Sequence, residues 1–436
     1  EICACLVGSE MCIRDSTRLS AVEYKERVLE YGRQIKQSSE ERIAMQHAIK
    51  AAKTGFFPSV DFSGSYQYRI NKYDLDFGPG MSVEMDHNTY SLGATVSQPI
   101  YAGGQIYNNY KAAQVQGKIT EQAEELTTDN IVYSADLNYW TAAARKGMYD
   151  VMCQYVDIVG ELANVLTIRF NDGQISKTDL LQVESRLKEA ELNKSSAYKE
   201  YQIALQNLNS LMGVSPLDPI EVEDSITTYL ALPLQVGEDV ALRNRPDYAI
   251  SELNIEYQKR QINLSKAKYN PSLAIGFQGT WGTPMLNVKG SDQLWTPAVF
   301  ASLKIPLFRW GARFKEVNSQ KAILRSKEYA LDNTRDKIAQ EVANAWTSLT
   351  EYTKQITVAE EACKIAEENL DLNTFSYNEG KLPILDVLSA QLSWIQSYSS
   401  LIQTWYQQKA SLAQYNKAIG CLLYTSPSPR DMRRSR

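Results

Sequence analysis

A chain of 436 residues with a formal net charge of −5, 44% apolar content and a mean hydropathy of −0.36 is long enough for two or three globular domains and carries no excess of positive charge. No run reaches the roughly 18 consecutive apolar residues of a membrane-spanning helix, so no helix is expected to cross a bilayer. No basic cluster lies inside the repeated part of the chain, which argues against nucleic acid as a partner.

The two ends stand apart. Glu1 to Ser16 and Cys421 to Arg436 hold four of the six cysteines and resemble translated adapter sequence, against the alternative of a Cys-rich extension and a basic tail. Cys153 and Cys363 fall inside helical stretches at non-equivalent positions, so no disulfide is expected between them. Ala21 to Thr54 reads as one helix, with apolar Val28, Ile35, Ile43 and Ile49 and a stop at Gly55. After Pro58 the period changes to two: Val60, Phe62, Gly64, Tyr66, Tyr68 and Ile70 alternate with Asp61, Ser63, Ser65, Gln67 and Arg69. Asn71 to Thr89 is a polar loop with Gly78-Pro79-Gly80 at its tip. Tyr90, Leu92, Ala94 and Val96 then alternate again, completing a long-looped hairpin.

From Gly104 a helical period runs to Phe170 without a proline, with seam positions Ile119, Ala123, Leu126, Tyr133, Leu137, Trp140, Ala144, Val151, Tyr155, Ile158, Leu162 and Val165. Such a helix is roughly 100 Å long at 1.5 Å per residue. Asn171-Asp172-Gly173 closes it, with glycine where a left-handed stop is needed. Lys177 to Met212 forms a shorter helix, and Val214 to Glu238, with Pro216, Pro219 and Pro233, a connector.

The order then repeats. Arg245-Pro246-Asp247 places proline at a first helical position and an acid in the first turn, opening a helix to about Lys268. Two alternating strands follow, one through Leu273, Ile275, Phe277, Gly279 and Trp281, the other through Trp295, Val299, Ala301, Leu303 and Ile305. A second long helix runs from Gly311 to a tip at Asn378-Glu379-Gly380, and Ile384 to Ile419 returns. Gly173 and Gly380 are 380 − 173 = 207 residues apart, and the same interval separates Asp179 from Asp386, Gly213 from Gly420 and Pro99 from Pro306. The chain is a duplication. Repeat 1 occupies 21–213, with its hairpin at 58–100 and its tip at 169–179; the connector is 214–238; repeat 2 occupies 239–420, with its hairpin at 271–306 and its tip at 376–386.

Lengths constrain the assembly. In each repeat the two shorter helices together match the single long one, so two short helices could pack along it. Four strands are too few for a barrel, whose minimum is about eight, and open edges cannot sit in lipid, so closure must come from other copies. The fold class expected is mostly α with a β-barrel part, a helix-strand-strand-helix unit built twice.

Several motifs in this order resemble the TolC-like outer-membrane efflux and export channel family. They are Arg245-Pro246-Asp247, Pro58-Ser59 and Pro271-Ser272 before the strands, the strand exits from Gln98 to Gly104 and Ile305 to Gly311, and the two tips. The resemblance covers Ala21 to Gly420. It implies a homotrimer in the cell outer membrane: four strands per protomer enter one 12-stranded transmembrane β-barrel, and the long coiled-coil-like helices form an α-barrel tunnel through the periplasm. It implies a passive exit duct for small molecules or proteins, serving a tripartite efflux or type I secretion system. The expected partners are outer-membrane lipid, a periplasmic adaptor (membrane fusion) protein and an inner-membrane pump. The tips carry the implied sites. Asp179 and Tyr377 stand where family members bond the two tips together, Thr178 adjoins them, and Asp386 stands in the ring of the constriction. Asn171, Asp172, Gly173, Asn378, Glu379 and Gly380 are the adaptor-docking tips. Leu382 replaces an arginine that ties the tips in well-studied members, and Ser389 replaces a second ring aspartate, so fewer polar ties and fewer ring charges are expected. Locally, Asp179 and Asp386 also favour the dipoles of their helices.

No catalytic, cofactor or metal site is expected. His47 and His87 lack partner spacing, Glu121, Glu124 and Glu125 read as a solvated helix face, and the glycine clusters lack a phosphate-loop context. A soluble periplasmic coiled-coil adaptor or scaffold is the rival class; it shares the helices but not the alternating strands. An enzyme acting through paired carboxylates ranks third.

Overall fold

The computed structural model describes residues 17–71, 74–76, 78, 82–284 and 287–421. The terminal segments 1–16 and 422–436, and Pro79 and Gly80 of the expected loop tip, lie outside the described residues. In chain order the elements are β1 (Thr17–Leu19), α1 (Ala21–Tyr31), α2 (Arg33–Thr54), β2 (Ser59–Tyr68), β3 (Asp74–Asp76), β4 (Ser82–Glu84), β5 (Asn88–Ala102), α3 (Gln105–Asn171) and α4 (Lys177–Met212). There follow β6 (Ile220–Val222), α5 (Glu238–Asn244), α6 (Pro246–Ala267), β7 (Ser272–Gly282), β8 (Leu294–Lys304), α7 (Ala312–Asn378) and α8 (Ile384–Ala418). The chain divides into two compact units that cut across the duplication. One comprises the described residues within Glu1–Ser39, Ala123–Tyr248 and Thr334–Arg436, the other Glu40–Gln122 and Ala249–Asn333.

The second unit holds the sheet, with order β2-β5-β7-β8 and every pair antiparallel. The hairpins of the two repeats join through β5 and β7. Cross-strand neighbours share a face, and the register lines up Val60, Val96, Phe277 and Val299, then Phe62, Ala94, Gly279 and Pro297, then Leu92, Trp281 and Trp295. The opposite face carries Asp61, Thr95 and Gln278, and Ser63, Gly93, Thr280 and Thr296. The apolar face is bare: Val60 is 72%, Phe62 75% and Val299 84% exposed. Among the described residues β2 and β8 each have one edge with no strand beside it. The expected polar loop contains a small β3–β4 hairpin, and an isolated bridge from Met85 to Val288 with a Lys289–Glu84 ion pair at 3.0 Å joins it to the loop of the second repeat. In the same unit α2 lies close on α3, where a Cβ on Gly117 would stand 2.6 Å from Ile49 Cδ1. Gln258 of α6 donates to the Gln320 carbonyl and side chain of α7 at 3.0 and 2.8 Å.

The first unit is helical, and four sequence expectations change there. The expected single helix over Ala21–Thr54 breaks at Gly32, whose ψ of 116° leaves the helical region; a Cβ there would meet the Val28 carbonyl at 2.5 Å, so glycine permits the break. The connector includes β6, which pairs in parallel with β1, and Asp224 beyond it accepts from Ala21 N–H at 2.9 Å and from the Tyr139 hydroxyl at 2.7 Å. The single seam on α3 is too narrow. Trp140, Val151, Tyr155 and Leu162 are buried as expected, but so are Ile131, Val132, Ala135, Tyr139, Val159 and Leu166, while Val165 is exposed. The cause is that α3 shares cores with α1, α4, α7 and α8 at one level and with α4, α7 and α8 at another, so its buried face is wider than a two-helix seam. Finally, α3 holds one 18-residue window long and apolar enough to span a bilayer, against the expectation of none; a third of that window is buried within the chain.

Arg245-Pro246-Asp247 fastens this unit. Pro246 opens α6, and the Arg245 guanidinium bonds Asp247 at 2.6 and 3.0 Å, Glu341 of α7 at 2.5 Å and the Ala418 carbonyl ending α8 at 3.4 Å. Lys409 of α8 is 1% exposed. Its ammonium donates to the Thr228 carbonyl and lies 4.9 and 5.2 Å from the ring centres of Trp140 and Trp405. Burial pushes its pKa down from 10.5 to about 8, opposed only in part by the charge of Asp224. A base whose folded pKa is depressed binds fewer protons folded than unfolded between those values, so its contribution to stability rises with pH there. Detergent-solubilised wild type should therefore gain thermal stability relative to Lys409→Met as pH rises from about 8 to about 9.5. Parallel pH profiles for the two proteins would contradict the buried-cation assignment.

Candidate functional site

The two tips have the same backbone. At the first, Gly173 has φ 70°, its N–H bonds the Phe170 carbonyl at 2.9 Å, and Gln174 N–H bonds the Arg169 carbonyl at 2.8 Å. At the second, Gly380 has φ 72°, its N–H bonds the Tyr377 carbonyl at 2.9 Å, and Lys381 N–H bonds the Ser376 carbonyl at 2.9 Å. This double closure satisfies the last helical carbonyls and needs a left-handed residue, which is why glycine stands at both. Nothing lies within 4 Å of where a Cβ would be at either glycine. The constraint there is conformational, and the space around each tip is open.

The return helices start differently. Ser176 caps α4 by accepting the Asp179 N–H at 3.2 Å, whereas Pro383 precedes α8 with no side-chain cap, and Asp386 N–H bonds the Pro383 carbonyl at 3.1 Å. Beneath the turns, Leu162, Leu166, Leu180, Val183, Tyr377, Ile384 and Val387 form one core, against which Phe170 and Ile175 pack. Burying a side chain of this size contributes about 1.5–3 kcal/mol, so the tip is a fixed scaffold with an exposed rim of Asn171, Asp172, Gly173, Asn378, Glu379 and Gly380.

Of the site residues expected from sequence, Asp179 and Asp386 are half-buried and Thr178 is exposed. Tyr377 is 7% exposed. Within the chain the expected Asp179–Tyr377 bond is not made. Tyr377 is instead seated in the tip core with its ring beneath the guanidinium of Arg169, 5.3 Å from the ring centre. Arg169 Nη2 also donates to the Asn378 side-chain oxygen at 3.2 Å and to the Asn378 carbonyl at 3.4 Å. Arg169 was absent from the residues singled out by sequence. The available signal was a broken repeat, since the equivalent position of the second tip is Ser376. His87 has a structural place, its Nδ1 2.7 Å from the Arg69 carbonyl and its ring stacked on Tyr68.

The profile of a family described as "Outer membrane efflux protein" matches residues 26–214 and 239–421. The chain is similar to Nodulation protein T of Rhizobium leguminosarum bv. trifolii, 24% identical over 257 residues, which are 58% of this chain and 55% of that protein, so it spans about half the length of that relative. It is also similar to outer membrane protein TolC of Escherichia coli (strain K12), 19% identical over 421 residues, covering 89% of this chain and 80% of that one. In fold it resembles the crystal structure of the outer membrane protein VceC from Vibrio cholerae, with TM-score 0.77 and 16% identity over 92% of this chain and 96% of that one.

Proposed function

The chain belongs to the outer membrane efflux protein family, and from that membership we propose that three copies close one 12-stranded barrel in the outer membrane above a periplasmic helical tunnel. The observation that carries this reading is the four-stranded sheet, with one uncovered apolar face, one polar face and two free edges. In lipid such edges must be paired, and four strands are below the barrel minimum of about eight. A soluble adaptor has no use for a bare apolar sheet face. The sheet therefore favours the channel over that alternative.

The tips are the gate and the docking surface in this reading. Asp386 from three protomers rings the mouth, with Thr178, Asp179 and Tyr377 behind it, and like charges gathered in a narrow opening attract cations. The exposed rim at Asn171-Asp172-Gly173 and Asn378-Glu379-Gly380 receives a periplasmic adaptor protein that couples the duct to an inner-membrane pump. The protein acts as a passive conduit, with no chemistry of its own.

Three outcomes test this. Arginine at Phe62 or Phe277 should destabilise the assembled barrel by roughly 2–4 kcal/mol near the midplane, while arginine at Ser63 or Gln278 is tolerated; equal tolerance on both faces, measured by unfolding in lipid, would mean the apolar face does not meet lipid. In planar bilayers Asp386→Ala should weaken cation selectivity and block by divalent ions, and a variant unchanged in both would remove Asp386 from the constriction. Tryptophan at Gly380 should stop export from cells while assembly proceeds, and full export by that variant would show that the rim is not the docking surface.

A further inference from the structure

We propose that Arg169 is the tie that holds the two tips of each protomer together, a positioning residue for closure of the mouth; this rests on the channel reading above. Both long helices end here, and each presents unpaired carbonyls and the negative end of its dipole. Arg169 lies in the last turn of α3, but α7 has no basic residue in its own last turn. The Arg169 side chain crosses to α7 and supplies that cation, donating to the Asn378 carbonyl at 3.4 Å and its Oδ1 at 3.2 Å. One guanidinium thus serves the ends of two helices from different repeats.

The contact has a defined seat. Tyr377 is buried in the tip core, which fixes the plane of its ring, and the guanidinium rests over that ring at 5.3 Å. A planar fork stacked on an aromatic face and bonding sideways to an amide is an arginine geometry that lysine does not reproduce. The tie is also one-way. The equivalent residue of the second tip, Ser376, carries no charge and is too short to reach back, and Leu382 has no donor. Thr178, Asp179 and Asp386 make no side-chain bond to the other tip among the described residues. The acceptor is a neutral amide at an exposed rim, which makes a closure that a docking partner can break.

The acceptor's neutrality provides a test with opposite signs. Full-length protein, wild type and variants, is reconstituted in planar bilayers, with assembly checked by light scattering. Arg169→Ala should raise the open fraction by roughly tenfold, the effect of losing a charge-assisted bond and a cation–π contact together. Arg169→Lys should fall between alanine and wild type. Asn378→Asp, which gives the guanidinium a charged acceptor, should lower the open fraction below wild type. Tyr377→Leu, which removes the ring that seats the guanidinium, should also raise the open fraction. A residue that merely stabilised the fold would show no tightening with Asn378→Asp. Wild-type pores whose gating is unaltered by both Arg169→Ala and Asn378→Asp would overturn the tie and leave the channel reading standing. Absence of pores from assembled wild-type protein would instead overturn the channel reading, and the tie with it.

Discussion

A strand edge in hydrocarbon has no water to satisfy its N–H and C=O groups, and each unpaired group costs several kcal/mol. Among the described residues the sheet of this chain has one unpaired edge on β2 and another on β8, and its one apolar face is uncovered. In a single protomer the edges would stand unpaired in lipid and the apolar face would stand bare in water. In the proposed assembly, closure shared with other copies would resolve both at once, since edges would pair edge to edge and the apolar faces together would make the lipid-facing band of a barrel. In that proposal the chemistry of the tips would be repeated around the axis that strand closure requires.

Duplication supplies two tips that match in backbone and differ in charge. Glycine is kept at Gly173 and Gly380 because the left-handed closure leaves no alternative of equal cost. Charge is not kept: Arg169 in one copy faces Ser376 in the other, and this lets one tip hold the other instead of competing with it. The strand exits diverge in a different way. Gly103 has φ 63°, while Trp310, its counterpart 207 residues later, keeps a left-handed φ of 48° with an indole 87% exposed. A bulky residue in that region is strained by about 1–2 kcal/mol.

Much of the fold was legible because its signals are local and physically forced. Alternation from Val60 to Tyr68 and from Leu273 to Trp281 can only suit a strand with unlike faces, and the tip glycines announce left-handed stops. What was hidden depends on partners far along the chain. The break at Gly32 carries no proline. The β1–β6 pairing is three residues long and joins segments about 200 positions apart. The wide buried face of α3 reflects several neighbours rather than one seam. At the tip, the family motif points to Asp179 and Tyr377 but not to Arg169, because the seating of Arg169 over the buried Tyr377 ring depends on tip packing and no local pattern encodes it.

Closure by shared strands is the central claim, and the mass of the detergent-solubilised particle tests it most directly. Multi-angle light scattering, corrected for bound detergent, should give three copies of the 49.2 kDa chain in a single species. A stable, folded monomer under the same conditions would contradict it, since its sheet would then stand with both edges open.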